Sequence, residues 1–269
     1  MTARPEQPLY LGSIALEPNR WKSRLKRQPS LKVSDWVEPA RAAGFDGWEL
    51  WEDHFFLAGG SERERLAGLA LPVRIFNTYV RPGIDSDADL ERVAEAIRFL
   101  GPAVQGIKFN LGKTEDAPPQ RQEDAAREWA RLLPESVRLY CECHPGTMLE
   151  TPEAAAMAFK NWPESRFAAI VHPMNAAENH LQSWFGALGQ RIEHLHWQAR
   201  NAERRVCLLA DLPETFGATI RFLQEQRYAG SHSIEFVKGL GEPDESPERL
   251  FTSARRDAAT LAEALKSEL

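Results

Sequence analysis

The sequence predicts an α/β protein built as one (β/α)8 TIM barrel, with residues 1–269 as a single domain. Three observations carry this. The chain has 269 residues, and a barrel of this kind takes roughly 250. A short apolar run followed by a helical pattern recurs eight times along it. No stretch between these units has the composition of a linker or a low-complexity tract. Strands alternating with helices imply a parallel sheet, and eight such units imply closure.

The first run is LYLGSIALEP, at 9–18. A helix is expected from an N-cap at about Ser34 to a C-terminal Gly44. FDGWELWE follows at 45–52, with Asp46-Gly47 as its turn. A short helix near 61–70 leads to LPVRIFNTYV at 71–80. The helix at 86–100 stops at Gly101-Pro102, and GIKFNLG at 106–112 is the fourth strand. A helix at about 121–133 precedes SVRLYCECHPGT at 136–147. Thr151-Pro152 opens the next helix, as cap and first helical residue. RFAAIVHPMN at 166–175 is the sixth strand; a helix near 178–189 leads to RIEHLHWQAR at 191–200. Pro213 starts a helix reaching about Arg227, HSIEFVKG at 232–239 is the eighth strand, and the last helix runs from about Pro247 to Lys266. An open doubly wound sheet is the alternative, but no Gly-rich phosphate loop follows the first strand.

Composition excludes some functions. Hydrophobic residues make up 43%, enough for one sizeable core. The net charge of −6 speaks against nucleic acid as the partner. The basic run NRWKSRLKRQPSLK, Asn19 to Lys32, either attracts an anion or, as is commoner, forms a solvated loop. The three cysteines, Cys141, Cys143 and Cys207, are too few for a disulfide framework and suit a reducing cytoplasm. MTARPEQPLY has no signal-peptide character, and no apolar run would cross a membrane. A cytoplasmic protein is expected, with homo-oligomer formation left open.

Strand alternation then sorts the polar residues. Cys141 and Cys143 suit the helix layer, so Glu142 and His144 face into the barrel. By the same test Ile234 and Phe236 pack outward and leave Glu235 inward, Ala169 and Val171 leave His172 inward, and His194 and His196 share the inner face. Ile107 and Phe109 leave Lys108 and Asn110 inward; Trp48 and Leu50 leave Glu49 and Trp51 inward. Lys108 pairs with Glu49 or with Glu142. Trp51 is either core or a sugar-stacking surface. Buried ionisable groups from six strands must neutralise one another or hold a cation. Glu142, His172, His196 and Glu235 form an oxygen and nitrogen donor set suited to one divalent ion, Mn²⁺, Zn²⁺, Co²⁺ or Fe²⁺. Taken singly, each of the four also reads as an ordinary salt-bridge or core residue.

GFDGWEL, ECHPGT with TPE, HLHWQAR and SIEFV together resemble strands two, five, seven and eight of the xylose-isomerase-like barrels, the sugar phosphate isomerase/epimerase family. The resemblance spans nearly the whole chain. It implies a divalent metal held by Glu142, His196 and Glu235, with His172 where relatives carry Asp. The family's Gly-x-Gly-x-x-Asp stretch after strand seven is replaced here by AERRVCLLADLP. The resemblance further implies isomerisation or epimerisation of a ketose or keto-sugar through an enediolate, with Glu142 and Glu235 exchanging the proton. His144 and Lys108 are further acid or base candidates. Asn110, Glu49, Trp51, Asn175 and Arg200 complete the expected substrate-binding set. The alternatives are a lyase cleaving a 3-keto-glycoside, as in C-glycoside deglycosidases, a barrel scaffold without its metal, and a nuclease related to endonuclease IV. That nuclease needs more ligands than can be placed.

Overall fold

Period-two alternation sends one face of every strand to a helix layer and the other to the barrel interior, and this pairing of faces positions the site. The computed structural model describes residues 7–18, 20, 29, 31–174 and 180–266. The strands are β1 (Leu9–Gly12), β2 (Gly47–Trp51), β3 (Val73–Asn77), β4 (Gly106–Phe109), β5 (Arg138–Glu142), β6 (Phe167–Val171), β7 (Ile192–Trp197), a short antiparallel pair β8 (Ala199–Arg200) and β9 (Val206–Cys207), and β10 (Ser231–Ile234). Eight of them, all parallel, close in the order β1-β10-β7-β6-β5-β4-β3-β2.

The helices are α1 (Val37–Ala42), α2 (Glu52–Phe56), α3 (Gly60–Ala67), α4 (Asp87–Leu100), α5 (Pro119–Leu132), α6 (Pro152–Lys160), α7 (His180–Leu188), α8 (Pro213–Glu225) and α9 (Pro247–Lys266). Local chemistry starts and stops them as the sequence suggests. Ser86 and Asp89 form a reciprocal capping box at α4, and Gly101 ends it with a φ of 83°. Thr151 accepts from the Ala154 amide while Pro152 occupies the first turn of α6. Ser34 does not cap α1. Its amide and hydroxyl donate to the buried carboxylate of Glu62 at 3.0 and 2.6 Å, and a 3-10 turn at Val33–Trp36 precedes the helix. A charged acceptor outcompetes the capping geometry there. Helix α2, with Glu52 and Asp53 in its first turn, and the β8–β9 pair are elements that the sequence pattern does not reveal.

The outward face is apolar. Leu11, Trp48, Leu50, Ile107, Phe109, Leu139, Cys141, Val171, Leu195, Trp197 and Ile234 pack into one continuous core beneath the helices. Inside the barrel, Tyr10, Ile75, Tyr140, Ala168 and Ile170 make a separate apolar layer. The His194 ring lies 6.0 Å from both Tyr10 and Tyr140. Gly106 makes room for Tyr140: a Cβ there would sit 2.0 Å from the ring carbon Cε2. With this layer filled by rings, polar side chains collect toward the C-terminal strand ends, where barrels of this type carry their sites. Among the described residues, no helix is long and apolar enough to cross a membrane.

Candidate metal centre

Four side chains converge at that end: Glu142 at the end of β5, His172 just past β6, His196 in β7 and Glu235 just past β10. Each offers one ligand atom, and these atoms lie within 4.8 Å of one another. His196 Nδ1 stands 3.5 Å from Glu142 Oε1 and 3.4 Å from Glu235 Oε1. His172 Nε2 is 2.8 Å from Glu142 Oε1, and its Nδ1 is 3.8 Å from Glu235 Oε2. Two of the atoms aimed into this cluster, His196 Nδ1 and Glu235 Oε2, are buried with no hydrogen-bond partner. Leaving such atoms unpaired is costly unless a ligand satisfies them. Two carboxylates, two imidazoles and two orphaned donor atoms fit a divalent cation of the Zn²⁺, Mn²⁺, Co²⁺ or Fe²⁺ type.

Charge agrees with that fit. Around His196, the carboxylates of Glu49, Glu142 and Glu235 face one ammonium, Lys108, and all four are buried. The imbalance of two negative charges matches a divalent ion once the imidazoles are neutral. Protons take the same role without it. Burial pushes the His196 imidazole down, but Glu49 and then Glu235 outweigh it and hold its pKa well above the ordinary histidine value. Burial pushes Glu142 up, yet Lys108 and the two imidazoles hold its carboxyl well below the usual range. Burial lowers Lys108 as well, and Glu142 reverses the effect and keeps it charged.

The wall around Glu142 is dense with donors. Lys108 Nζ lies 2.8 Å from Glu142 Oε2 and donates to Asn110 Oδ1 at 2.7 Å. Asn110 Nδ2 donates to the same Oε2 at 2.8 Å. The ammonium also sits 4.4 Å over the Tyr79 ring. On the far side, Arg200 donates to Gln198 Oε1 at 3.3 Å, which leaves Gln198 Nε2 to donate to His172 Nδ1 at 2.8 Å. His172 therefore carries its proton on Nε2 and donates it to Glu142.

A cleft of about 420 Å³ opens over these groups, lined by Glu142, His172, Glu235, Asn110 and His144 among others. His144 is exposed on the rim, its Nδ1 donating to Pro145 O at 2.6 Å, and its ring centroid is 6.0 Å from that of His172. Lys108 is buried behind Asn110 and pairs with Glu142, not Glu49. The structure does not bring Glu49, Trp51 or Arg200 to the cleft wall. Glu49 lies beneath His196, and Trp51 is fully buried against His54. Arg200 is exposed and spends its guanidinium on Arg204 O and Gln198. Asn175 and most of the basic run 19–32 lie outside the described residues. Cys141 and Cys143 pack under the helices, where burial pushes both thiols up. Phe236, expected outward, lines the cleft instead, because the chain leaves strand geometry after Ile234 and alternation lapses. Sequence reading missed Tyr79 and Gln198; carrying the inward parity of His196 two residues further would have found Gln198, whereas strand three, which leads to Tyr79, carries no parity assignment.

No protein-family model matches the sequence, and no curated protein matches it. Solved structures do match in shape. A probable 3-DHS dehydratase, AsbF, of Bacillus anthracis is 15% identical with a TM-score of 0.64, covering 96% of this chain and 99% of that one. The 3-keto-D-glucoside 4-epimerase YcjR of E. coli is 16% identical with a TM-score of 0.63, again over 96% and 99%. The IOLI protein, solved with a zinc atom, is 14% identical with a TM-score of 0.64, over 96% and 98%. The chain has the (β/α)8 TIM-barrel fold that the resemblance implied.

Proposed function

We propose that the protein is a divalent-metal-dependent isomerase or epimerase of a ketose or keto-sugar. The observation that carries this is the convergence of Glu142, His172, His196 and Glu235, two of whose inward atoms lack any partner. The similar barrels include one with bound zinc and a 3-keto-glucoside epimerase. The ion would polarise a substrate carbonyl as a Lewis acid and so stabilise the enediolate that proton loss creates.

The residues divide the remaining work. Glu142 and Glu235 project from strands separated in the ring by β6 and β7, so they approach a bound substrate from different sides. If Glu235 binds the ion through one oxygen, Oε1, which lies 3.4 Å from His196 Nδ1, then Oε2 would keep a lone pair to take a proton from carbon. Glu142 is held anionic by Lys108, Asn110 and His172 and is the weaker base. Lys108 stands behind it and keeps it charged. His144 on the rim and Asn110 on the wall line the cleft and would hold hydroxyls. His172 either ligates the ion or, through its Nε2 proton, orients Glu142; the Gln198 contact favours the second role.

The test is incubation with candidate ketoses and 3-keto-sugars in D₂O, followed by NMR. Deuterium at the carbon beside the carbonyl, in a product that keeps all its substituents, is the expected result. Release of water or an aglycone would make the enzyme a lyase using the same proton abstraction; a probable dehydratase is among the proteins of this fold. Turnover without wash-in would remove the enediolate route.

A further inference from the structure

We infer that Glu49 is the residue that positions His196 as a ligand and so sets the metal affinity of the site, an inference that rests on the metal-dependent reading above. Glu49 does not line the cleft, and its side chain is completely buried. No lysine or arginine pairs with it among the contacts of its carboxylate. Instead Oε2 accepts from His196 Nε2 at 3.0 Å and from His194 Nε2 at 3.2 Å, while Oε1 accepts from Asn77 Nδ2 at 2.7 Å.

The direction of these bonds matters. An ionised carboxylate only accepts, so both histidines must present N–H at Nε2. All three groups that reach the Glu49 carboxylate are nitrogens, Nε2 of His196, Nε2 of His194 and Nδ2 of Asn77, an arrangement that fits a carboxylate accepting from each. With Nε2–H committed to Glu49, the other nitrogen of His196, Nδ1, is the one aimed between Glu142 and Glu235 without a partner. A carboxylate behind an imidazole also makes the opposite nitrogen a better donor to a cation. His194 braces the arrangement. Its Nδ1 lies 2.7 Å from Ser231 Oγ and its Nε2 2.9 Å from Ser233 Oγ, which keeps the ring fixed beside Glu49. Its ring centroid is 5.2 Å from that of His196, at an interplanar angle of 90°.

Glu49, His194 and His196 also lie close enough to form a donor group of their own. The hydrogen bonds just described use both nitrogens of His194 and both oxygens of Glu49, so this group serves as a brace for one ion and not as a second site. The carboxylate is needed specifically. A glutamine has one oxygen for three donors and must turn its NH₂ toward His196, His194 or Asn77.

The experiment is titration of the metal-free wild type, Glu49→Gln and Asn77→Ala with Co²⁺, read by calorimetry and by the visible absorption of bound cobalt. Circular dichroism of the metal-free proteins checks the fold. Wild type should bind one Co²⁺ per chain. Glu49→Gln should bind it about 10–100-fold more weakly, with shifted absorption bands. Asn77→Ala, which keeps the carboxylate but loosens it, should lose a smaller factor, and it decides the matter if Glu49→Gln does not fold. A folded Glu49→Gln with wild-type affinity and spectrum overturns the inference and leaves the metal-dependent reading standing. Two Co²⁺ per chain, with the second lost in Glu49→Gln, makes Glu49 a ligand and overturns it too. A wild type that binds no Co²⁺ removes the metal-dependent reading itself, and the positioning role with it.

Discussion

Lys108→Met should destabilise the metal-free protein and strengthen its hold on a divalent ion. The Lys108 side chain is 1% exposed and that of Glu142 5%, and their charged atoms are 2.8 Å apart. Removing one partner of such a pair leaves the other buried and uncompensated, which costs about 3–5 kcal/mol. Glu142 keeps donors from Asn110 and His172, so the loss should fall at the low end. For a chain of 269 residues, about 3 kcal/mol lowers the melting temperature by about 5 °C. The same substitution removes a positive charge from the neighbourhood of the donor cluster, so Co²⁺ affinity should rise about tenfold or more. Differential scanning calorimetry in EDTA, paired with a Co²⁺ titration, reads both effects. A variant melting within about 1 °C of wild type in EDTA, or one binding Co²⁺ more weakly, would refute the reasoning that this ammonium stands in a cation-seeking pocket.

Glu235→Gln should leave the fold intact and lower turnover about 10²–10⁴-fold, measured by steady-state kinetics on any substrate that shows exchange; retention of more than about a tenth of the rate removes Glu235 as the base. Cys141→Ala and Cys143→Ala should keep full metal content by elemental analysis and cost about 1 kcal/mol each in packing, since both thiols lie under the helices. His172→Asp should move metal preference toward Mn²⁺ or Mg²⁺ in competition with Zn²⁺, and an unchanged order would mean the side chain does not reach the ion. Asp257→Asn should stabilise the protein at pH 8 more than at pH 5. Burial raises the Asp257 carboxyl to about 7, so the folded state holds a proton that the unfolded state has released. The resulting penalty is absent at low pH, grows from about pH 4 to 7, and is complete above that range, reaching about 2 kcal/mol or more. The amide carbonyl of the substituted side chain can still accept from the Leu209 amide, as Asp257 Oδ1 does at 2.8 Å. Melting curves at the two pH values check it, and equal shifts would show that the carboxyl is not raised.

Strand parity made much of this site legible. It requires only that a strand be regular, and at Cys141–Glu142, Ile107–Lys108 and Leu195–His196 the strands are regular to the relevant residue. Where regularity stops, so does the inference: Phe236 lies two residues past the end of β10 and turns into the cleft. Parity also reports which wall a side chain leaves but not how deep it sits. Glu49 faces inward as read, yet lies behind His196 and does not reach the cleft, and Trp51, also buried, does not line it either. Ser34 misled for a different reason, because its acceptor, Glu62, is 28 residues away and no local pattern announces it. The relay from Arg200 through Gln198 to His172 is likewise tertiary, built by the turn into the β8–β9 pair.

The central claim is that Glu142, His196 and Glu235 at the barrel mouth hold one divalent ion, with His172 beside them, and elemental analysis of the purified protein tests it most directly. The account predicts one transition-metal ion per chain, retained through dialysis and lost in the double variant Glu142→Gln with Glu235→Gln, which still folds. Wild-type protein that is metal-free and takes up none from Mn²⁺, Co²⁺ or Zn²⁺ would contradict it and leave the barrel as a scaffold.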